Sequence, residues 1–156
     1  MNIGIVGSEA IKFTSLGESR AKAFINNILE AHTEDDNEIP TIVSGECHLG
    51  GIDIWAKEIA LDLNVGYIGY PPKDLTWSGG FKPRNLQIAH NSDILYCITV
   101  DTLPEGYRGM RFEGCYHCIK SNKGFKEPHI KSGGCWTVLQ GIKKGKEGLW
   151  QVIKNY

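Results

Sequence analysis

The sequence predicts an α/β protein in which a mostly parallel, five-stranded sheet lies between two layers of helices. Short apolar segments that end at glycine or proline alternate with longer segments whose apolar residues recur every three to four positions. The short segments are continuously apolar, which is typical of strands buried on both faces of a parallel sheet. Alternation of strands and helices along a chain favours crossover connections, and these produce parallel strands covered by helices.

The first part of the chain supplies three strands and two helices. Residues 2–7 form an apolar run that stops at a Gly-Ser turn, and residues 16–31 repeat apolar side chains at helical spacing. A second apolar run covers residues 41–44 and is followed by a helix that begins near residue 51. A third run covers residues 65–70 and ends at two prolines, which cannot continue a buried strand.

The second part completes the alternation. A glycine-rich loop leads to a helix that begins near Pro83, because proline is favoured in the first helical turn. Residues 93–100 predict a fourth strand and residues 149–153 a last one, with a helix over 133–144 between them. Residues 101–132 have no clear period and hold the densest group of cysteines and histidines, so we expect an irregular Cys/His loop there.

Composition and charge are those of an ordinary globular domain. With 156 residues and 41% hydrophobic content, the chain can bury a core without disulfides, and we expect one domain over residues 1–156. The net charge of -1 argues against binding of nucleic acid by bulk charge. The apolar runs are shorter than the roughly 20 residues of a membrane span. With no signal segment before the first strand, we expect a cytoplasmic protein without a membrane partner, whose cysteines are thiols or metal ligands. The acidic segment 34–38 is expected to be a solvated loop.

Glycines form three groups where the carboxyl ends of strands or the starts of helices are predicted. The three groups are Gly7 with Ser8, then Gly45, Gly50 and Gly51, then Gly133 and Gly134. At the carboxyl edge of an α/β sheet, glycines let the backbone approach a phosphate, and helix N-termini supply free N–H groups. Each group alone is explained as a tight turn, but three at one edge favour a shared ligand pocket. The spacing matches neither the dinucleotide fingerprint nor the P-loop, which argues against ordinary NAD binding and P-loop hydrolysis.

Three further side chains near these glycines suit a nucleotide. Asp53 lies in the first turn of a helix, where it either complements the helix dipole or accepts hydrogen bonds from a ribose or base. Arg84, beside Asn85, either holds a phosphate through a bidentate contact or forms a surface salt bridge. Trp77 either stacks on a base or covers the core.

Taken in order, these motifs resemble the SLOG superfamily over residues 3–145. That superfamily includes the DprA/Smf proteins and the LOG-type phosphoribohydrolases, and the chain is most similar in style to its small YspA/YpsA-like members. The resemblance implies a Rossmann-like fold that binds nucleotides or nucleotide-derived ligands at glycine loops. The positions carried over are Gly7 and Ser8 as the first phosphate-side turn; Gly45, Gly50, Gly51 and Asp53 as the second loop and helix start; Arg84 and Asn85 as the RN element; and Gly133, Gly134 and Thr137 as the last glycine motif.

The chain departs from the LOG-type motif P-G-G-x-G-T-x-x-E at three positions. Ser132 stands in place of the proline, Trp136 in place of the third glycine and Gln140 in place of the catalytic glutamate. A glutamine cannot act as a general acid or base, so the sequence argues against phosphoribohydrolase activity. DNA binding of the DprA type also lacks support, because the charge is balanced and no basic stripe is present.

Cys115 and Cys118 form a C-x-x-C pair, and His129 follows eleven residues later. In a reducing compartment this pattern predicts zinc, which takes four N or S ligands and would order the irregular segment 101–132. We take His117 as the fourth ligand. Three other residues remain open for that place: Cys135, Cys47 and His48. The alternatives are unrelated thiols, or a redox pair, which the expected loop setting disfavours because thioredoxin-like motifs precede a helix. Cys97 is expected in the core of the fourth strand.

We therefore expect a sensor or binding module that takes a nucleotide-like phosphorylated ligand and carries a structural zinc loop. The alternative is a hydrolase or transferase that acts on an N-glycosidic or phosphoester bond of a nucleotide. A third class is a structural partner protein with a vestigial pocket. Trp150 and Tyr156 either form a surface for a homo-oligomer or belong to the core.

Overall fold

A computed structural model describes residues 1–36 and 38–156. Within them, five strands form one sheet: β1 (Asn2–Gly7), β2 (Thr41–Ser44), β3 (Gly66–Gly69), β4 (Ile94–Val100) and β5 (Glu147–Ile153). The strand order is β3-β2-β1-β4-β5 and every neighbouring pair is parallel. With helices on both faces, the predicted Rossmann-like α/β fold is confirmed, and the sheet is parallel throughout.

The helices follow the predicted order with one addition. They are α1 (Ser15–Asp36), α2 (Ile52–Asp62), α3 (Lys82–Asn91), α4 (Tyr116–Lys120) and α5 (Gly133–Lys143). Helix α1 is longer than its apolar period because no glycine or proline interrupts residues 31–36, so the predicted acidic loop at 34–38 begins as helix; Asn37 lies outside the described residues. Helix α4 lies inside the segment 101–132, so the prediction that the C-x-x-C pair sits in a loop is wrong.

Two apolar layers hold the helices against the sheet. Helices α1 and α2 cover one face, where Ile3 and Ile5 of β1 lie in the same buried cluster as Ile25 and Ile52. Helices α3 and α5 cover the other face, where the cluster contains Val6, Val138 and the thiol of Cys97. Successive strand residues thus face opposite layers, as the period of a strand requires.

Three smaller observations concern the cysteines, the helices and the two aromatic residues near the C-terminus. All five cysteines are free thiols, as expected. No helix among the described residues is long and apolar enough to cross a membrane. Trp150 stacks on Phe125 at 5.7 Å between ring centroids, whereas Tyr156 is exposed, and its hydroxyl accepts a hydrogen bond from the Glu105 N–H at 2.7 Å. The expectation of a homo-oligomer stays a prediction.

Candidate functional site

A cavity of about 310 Å³ lies at the carboxyl end of β1. Strand β1 has β2 on one side and β4 on the other, so chain connectivity reverses direction here. Open α/β sheets bind ligands at such switch points. Nine of the predicted ligand residues line the cavity: Gly7, Ser8, Asp53, Trp77, Arg84, Asn85, Gly133, Gly134 and Thr137.

The other three predicted residues stand behind the cavity wall. Gly50 and Gly51 have φ angles of 72° and 85°, so the turn before α2 adopts a left-handed conformation that glycine reaches without strain. Gly45 presents its carbonyl oxygen to the Arg84 Nη1 group, which donates a hydrogen bond to it. These glycines therefore shape the wall and do not line the cavity.

A buried ion pair forms one side of the cavity. Arg84 Nη1 lies 3.9 Å from Asp53 Oδ2, and Arg84 Nε donates to Asn85 Oδ1 at 2.7 Å. Arg84 is therefore not the surface salt bridge that the sequence left open, since both side chains are more than 90% buried. Burial raises the pKa of Asp53 to about 6, although the Arg84 guanidinium opposes the rise.

Two lysines that sequence reasoning missed also line the cavity. Lys12 ends a short 3₁₀ turn (Ala10–Lys12), and its Nζ donates to the Lys131 carbonyl oxygen at 3.1 Å. Within the described part of the chain, neither ammonium lies within 4.0 Å of a carboxylate. Burial lowers the pKa of Lys12, the Glu9 carboxylate opposes this shift, and the charge of Lys131 adds to it. The sequence offered one signal for these lysines, since Lys12 lies close to the first glycine group and Lys131 close to the last.

The N-terminus of α5 forms a third side. Ser132 caps the helix, and its Oγ accepts a hydrogen bond from the Gly134 N–H at 3.1 Å. Gly134 packs directly on β1, because a Cβ there would lie 2.9 Å from the Gly7 nitrogen and 3.0 Å from its Cα. Ser8 Oγ donates to Thr99 Oγ1 at 3.0 Å. The free N–H groups of a helix start carry partial positive charge, so this side adds to the field of the lysines.

Aromatic rings also border the cavity. Trp77 is 47% exposed and meets Trp136 edge to face, with 4.9 Å between ring centroids. Phe81 also lines the cavity, and the Arg84 guanidinium lies 5.5 Å from its ring centre. Trp77 is therefore not a cover for the core.

Four side chains form a second candidate site beside α4. Their ligand atoms all lie within 4.8 Å of one another, and all four residues are buried: Cys115, Cys118, His129 and Cys135. Three sulfurs and one ring nitrogen at this separation are positioned to bind one metal ion. Cys135 Sγ lies 3.6 Å from His129 Nε2, close to the spacing of two ligands on one tetrahedral ion.

The hydrogen bonding of His129 prepares it as a ligand. Its Nδ1 lies 2.7 Å from the Glu127 carbonyl oxygen, which can only accept, so Nδ1 carries the proton and donates. Nε2 therefore faces the sulfurs, an arrangement typical of metal-binding histidines. Hydrogen bonds from neighbouring thiols, that of Cys118 first, hold the pKa of Cys115 well below its usual range. Cys115 in turn is the chief cause that raises the pKa of His129 to about 10. Without a metal, the cluster therefore favours a Cys115 thiolate facing a protonated His129, and a bound cation would take the place of the Nε2 proton.

Cys135, one of the residues left open for the fourth ligand, belongs to this cluster. It lies in the first turn of α5, beyond the predicted segment 101–132. His117 lies outside the cluster, with its ring against that of Tyr116 at 4.3 Å between centroids. Cys47 lines the ligand cavity instead, and His48 stacks on Phe81. Cys97 is buried as expected, with its Sγ 3.8 Å from Cys135 Sγ.

Comparison with known proteins adds no relative. A scan against models of protein families finds no match, and a search of the curated proteins finds no similar sequence.

Proposed function

We propose that this chain binds a nucleotide or a nucleotide-derived phosphorylated ligand in the cavity at the end of β1, as a sensor or binding module with a structural zinc. The observation that carries the proposal is that Lys12, Lys131, Arg84 and the start of α5 all line one glycine-lined cavity. The three cationic side chains and the helix start outweigh the two carboxylates that line the cavity, Glu9 and Asp53, and a helix start is a ready anion site.

Two parts of the cavity lining suit the two parts of a nucleotide. Lys12, Lys131 and the first turn of α5 suit a phosphate, since they combine two ammonium groups with backbone donors. The exposed ring of Trp77 suits a base, because aromatic side chains stack on any base. The volume of about 310 Å³ stands at the lower end of the roughly 300–1,000 Å³ typical of small-molecule sites, which favours a mononucleotide over a dinucleotide.

Membership of the SLOG superfamily is part of the proposal. The parallel sheet and the position of the cavity at the glycine groups are what that resemblance implies. Zinc is proposed for the Cys₃His cluster because imidazole and thiolate together suit zinc. Four protein ligands complete a tetrahedral ion and leave no position for a reacting water, so we assign the zinc a structural role.

One observation favours an enzyme as the second candidate. A carboxyl group whose pKa is raised to about 6 inside a cavity is poised to exchange a proton near neutral pH, and Asp53 is such a group. The corresponding reaction is hydrolysis or transfer at an N-glycosidic or phosphoester bond, with Asp53 as acid or base. Retained binding with loss of turnover in Asp53→Asn would support this candidate.

The ligand proposal is tested by calorimetric titration with AMP, ribose 5-phosphate, inorganic phosphate and adenosine. We expect the phosphorylated compounds to bind and adenosine to bind far more weakly. Lys131→Ala should weaken AMP binding by about 10- to 100-fold, the loss of one charge-assisted hydrogen bond of roughly 1.5–3 kcal/mol. Lys120→Ala is the matched control, because both lysines lie over the Tyr116 ring but Lys120 does not line the cavity. Equal losses in both variants, or no binding of any phosphorylated compound, would refute the proposal.

The zinc proposal is tested by elemental analysis of the purified protein. We expect one zinc per chain, retained in His117→Ala and lost in Cys118→Ser, since only Cys118 contributes to the cluster. A stable protein without metal, or equal zinc content in both variants, would contradict the assignment.

A further inference from the structure

The segment between two of the metal ligands is also a wall of the ligand cavity. His129 and Cys135 belong to the metal cluster, and residues 131–134 between them all line the cavity. The other two ligands, Cys115 and Cys118, come from the start of α4. A bound metal therefore joins α4 to both ends of the short segment that carries Lys131 and the start of α5.

Backbone hydrogen bonds fix the start of this segment to β4 and close its end as a helical turn. The Ile130 N–H donates to the Val100 carbonyl oxygen at 2.9 Å, which anchors the segment to the end of β4. The Cys135 N–H donates to the Ser132 carbonyl oxygen at 3.1 Å, which closes the first turn of α5 upon itself. Gly134 also packs on Gly7 of β1, so a metal that holds Cys135 would add a second constraint on the position of this turn.

A second cavity, of about 340 Å³, reaches the metal cluster. Cys115, Cys118 and His129 line it, together with Phe112 and Phe125. None of the three lines the ligand cavity. A metal ion, or a small chelator, thus has its own route to the cluster and does not need to pass through the ligand cavity.

We propose that metal occupancy of the Cys₃His cluster and phosphate binding in the cavity are thermodynamically coupled through residues 130–135, with His129 and Cys135 as positioning residues for the anion site. The proposal rests on the proposed anion binding and adds its regulation by the metal. Because linkage is reciprocal, phosphate must tighten metal binding by the same factor by which the metal tightens phosphate binding. Couplings of this kind commonly amount to about 5- to 150-fold.

The first experiment uses the metal alone. Amide hydrogen exchange is compared in the zinc-loaded protein and after zinc removal by a chelator. We expect the Gly134 and Cys135 amides to lose protection at least about tenfold, while Ile42 of β2 keeps its protection, because the Ile42 side chain lies in the other hydrophobic layer, across the sheet from the cluster cysteines. Unchanged protection at Gly134 and Cys135 would overturn the proposal, and so would loss of protection throughout the sheet.

The second experiment titrates inorganic phosphate into the zinc-loaded and zinc-free proteins, with the amide signals of Gly133 and Gly134 as the readout. Binding at least about fivefold weaker without zinc, and an equal tightening of zinc binding by phosphate, is the expected result. Equal phosphate affinity in the two forms refutes the coupling. If phosphate has no effect on the zinc-loaded protein, the proposed anion binding is refuted. The hydrogen-exchange experiment still tests separately whether the metal orders residues 130–135.

Three variants separate coordination from packing. Cys97→Ser changes a buried thiol 3.8 Å from Cys135 Sγ that is not a ligand, so it should keep both zinc and phosphate binding. His129→Ala should weaken both, and His129→Cys, which keeps four ligands, should restore them. Loss of phosphate binding in Cys97→Ser equal to that in His129→Ala, or failure of His129→Cys to restore it despite bound zinc, would assign the effect to packing and overturn the proposal.

Discussion

Replacing Gly134 with alanine probes the closest approach between α5 and the strand that ends at the ligand cavity. A Cβ at this position would lie 2.9 Å from the Gly7 nitrogen and 3.0 Å from both the Gly7 Cα and the Cys97 sulfur. Ordinary contacts of a Cβ begin at 3.4 Å, so the overlap is about 0.4–0.5 Å, and two of the three neighbours are backbone atoms that cannot rotate away. Overpacking of this kind costs about 1–3 kcal/mol.

Gly133→Ala is the matched control, because it lies in the same helical turn and has no heavy atom within 4 Å of its Cβ position. Both variants gain the helix propensity of alanine, up to about 1 kcal/mol, so the difference between them isolates the overlap. We expect Gly134→Ala to be about 1–3 kcal/mol less stable than Gly133→Ala in urea unfolding with zinc in excess, and to melt between about 2 and 12 °C lower. Equal stability of the two variants would refute the reasoning that β1 and α5 are in direct backbone contact here.

Two further predictions concern buried polar groups. Because burial raises the pKa of Asp53 from 3.8 to about 6, the folded state binds more protons than the unfolded state between these values, and the free energy of unfolding should fall as pH rises from about 4 to 6. This pKa difference corresponds to a free energy of roughly 3 kcal/mol, and Asp53→Asn should remove this part of the pH dependence. Identical pH profiles of urea unfolding in the variant and the unchanged protein would contradict the prediction. Asn155→Ala should lower the free energy of unfolding by about 2–4 kcal/mol, since the buried carboxamide accepts from the Thr14 N–H and donates to the carbonyl oxygens of Lys12 and Thr102. Asn122→Ala, on the surface, should leave stability unchanged when both variants are compared by calorimetry. Equal melting temperatures of these two variants would refute it.

Local patterns were sufficient to predict most of the fold. The continuous apolar runs before Gly7 and Gly45 mark strands buried on both faces, and the helical periods between them demand crossovers, so a parallel sheet follows from short-range information. Helix α4 was not predicted because its five residues bury only Cys118, and one buried side chain gives no period. The extent of α1 was underestimated for the same reason, since its last turns lie beyond the apolar repeat.

The candidate sites were predicted only where residues near in sequence are also near in space. The C-x-x-C spacing identifies Cys115 and Cys118 because a single short turn can present both sulfurs to one ion. No spacing rule distinguishes His117 from Cys135 as the fourth ligand, because that choice depends on the docking of α5 against α4.

The sequence by itself determined the parallel α/β architecture, the glycine groups at the ends of strands and the pair of cysteines, because each depends on neighbours within a few residues. Only the tertiary structure decided that Lys12 and Lys131 meet at one cavity, since the first follows β1 and the second precedes α5, 119 residues later. The tertiary structure also decided that the metal cluster and the cavity share the segment 130–135. The physical reason is common to both: parallel pairing of β1 with β4 brings together chain segments that no local pattern relates.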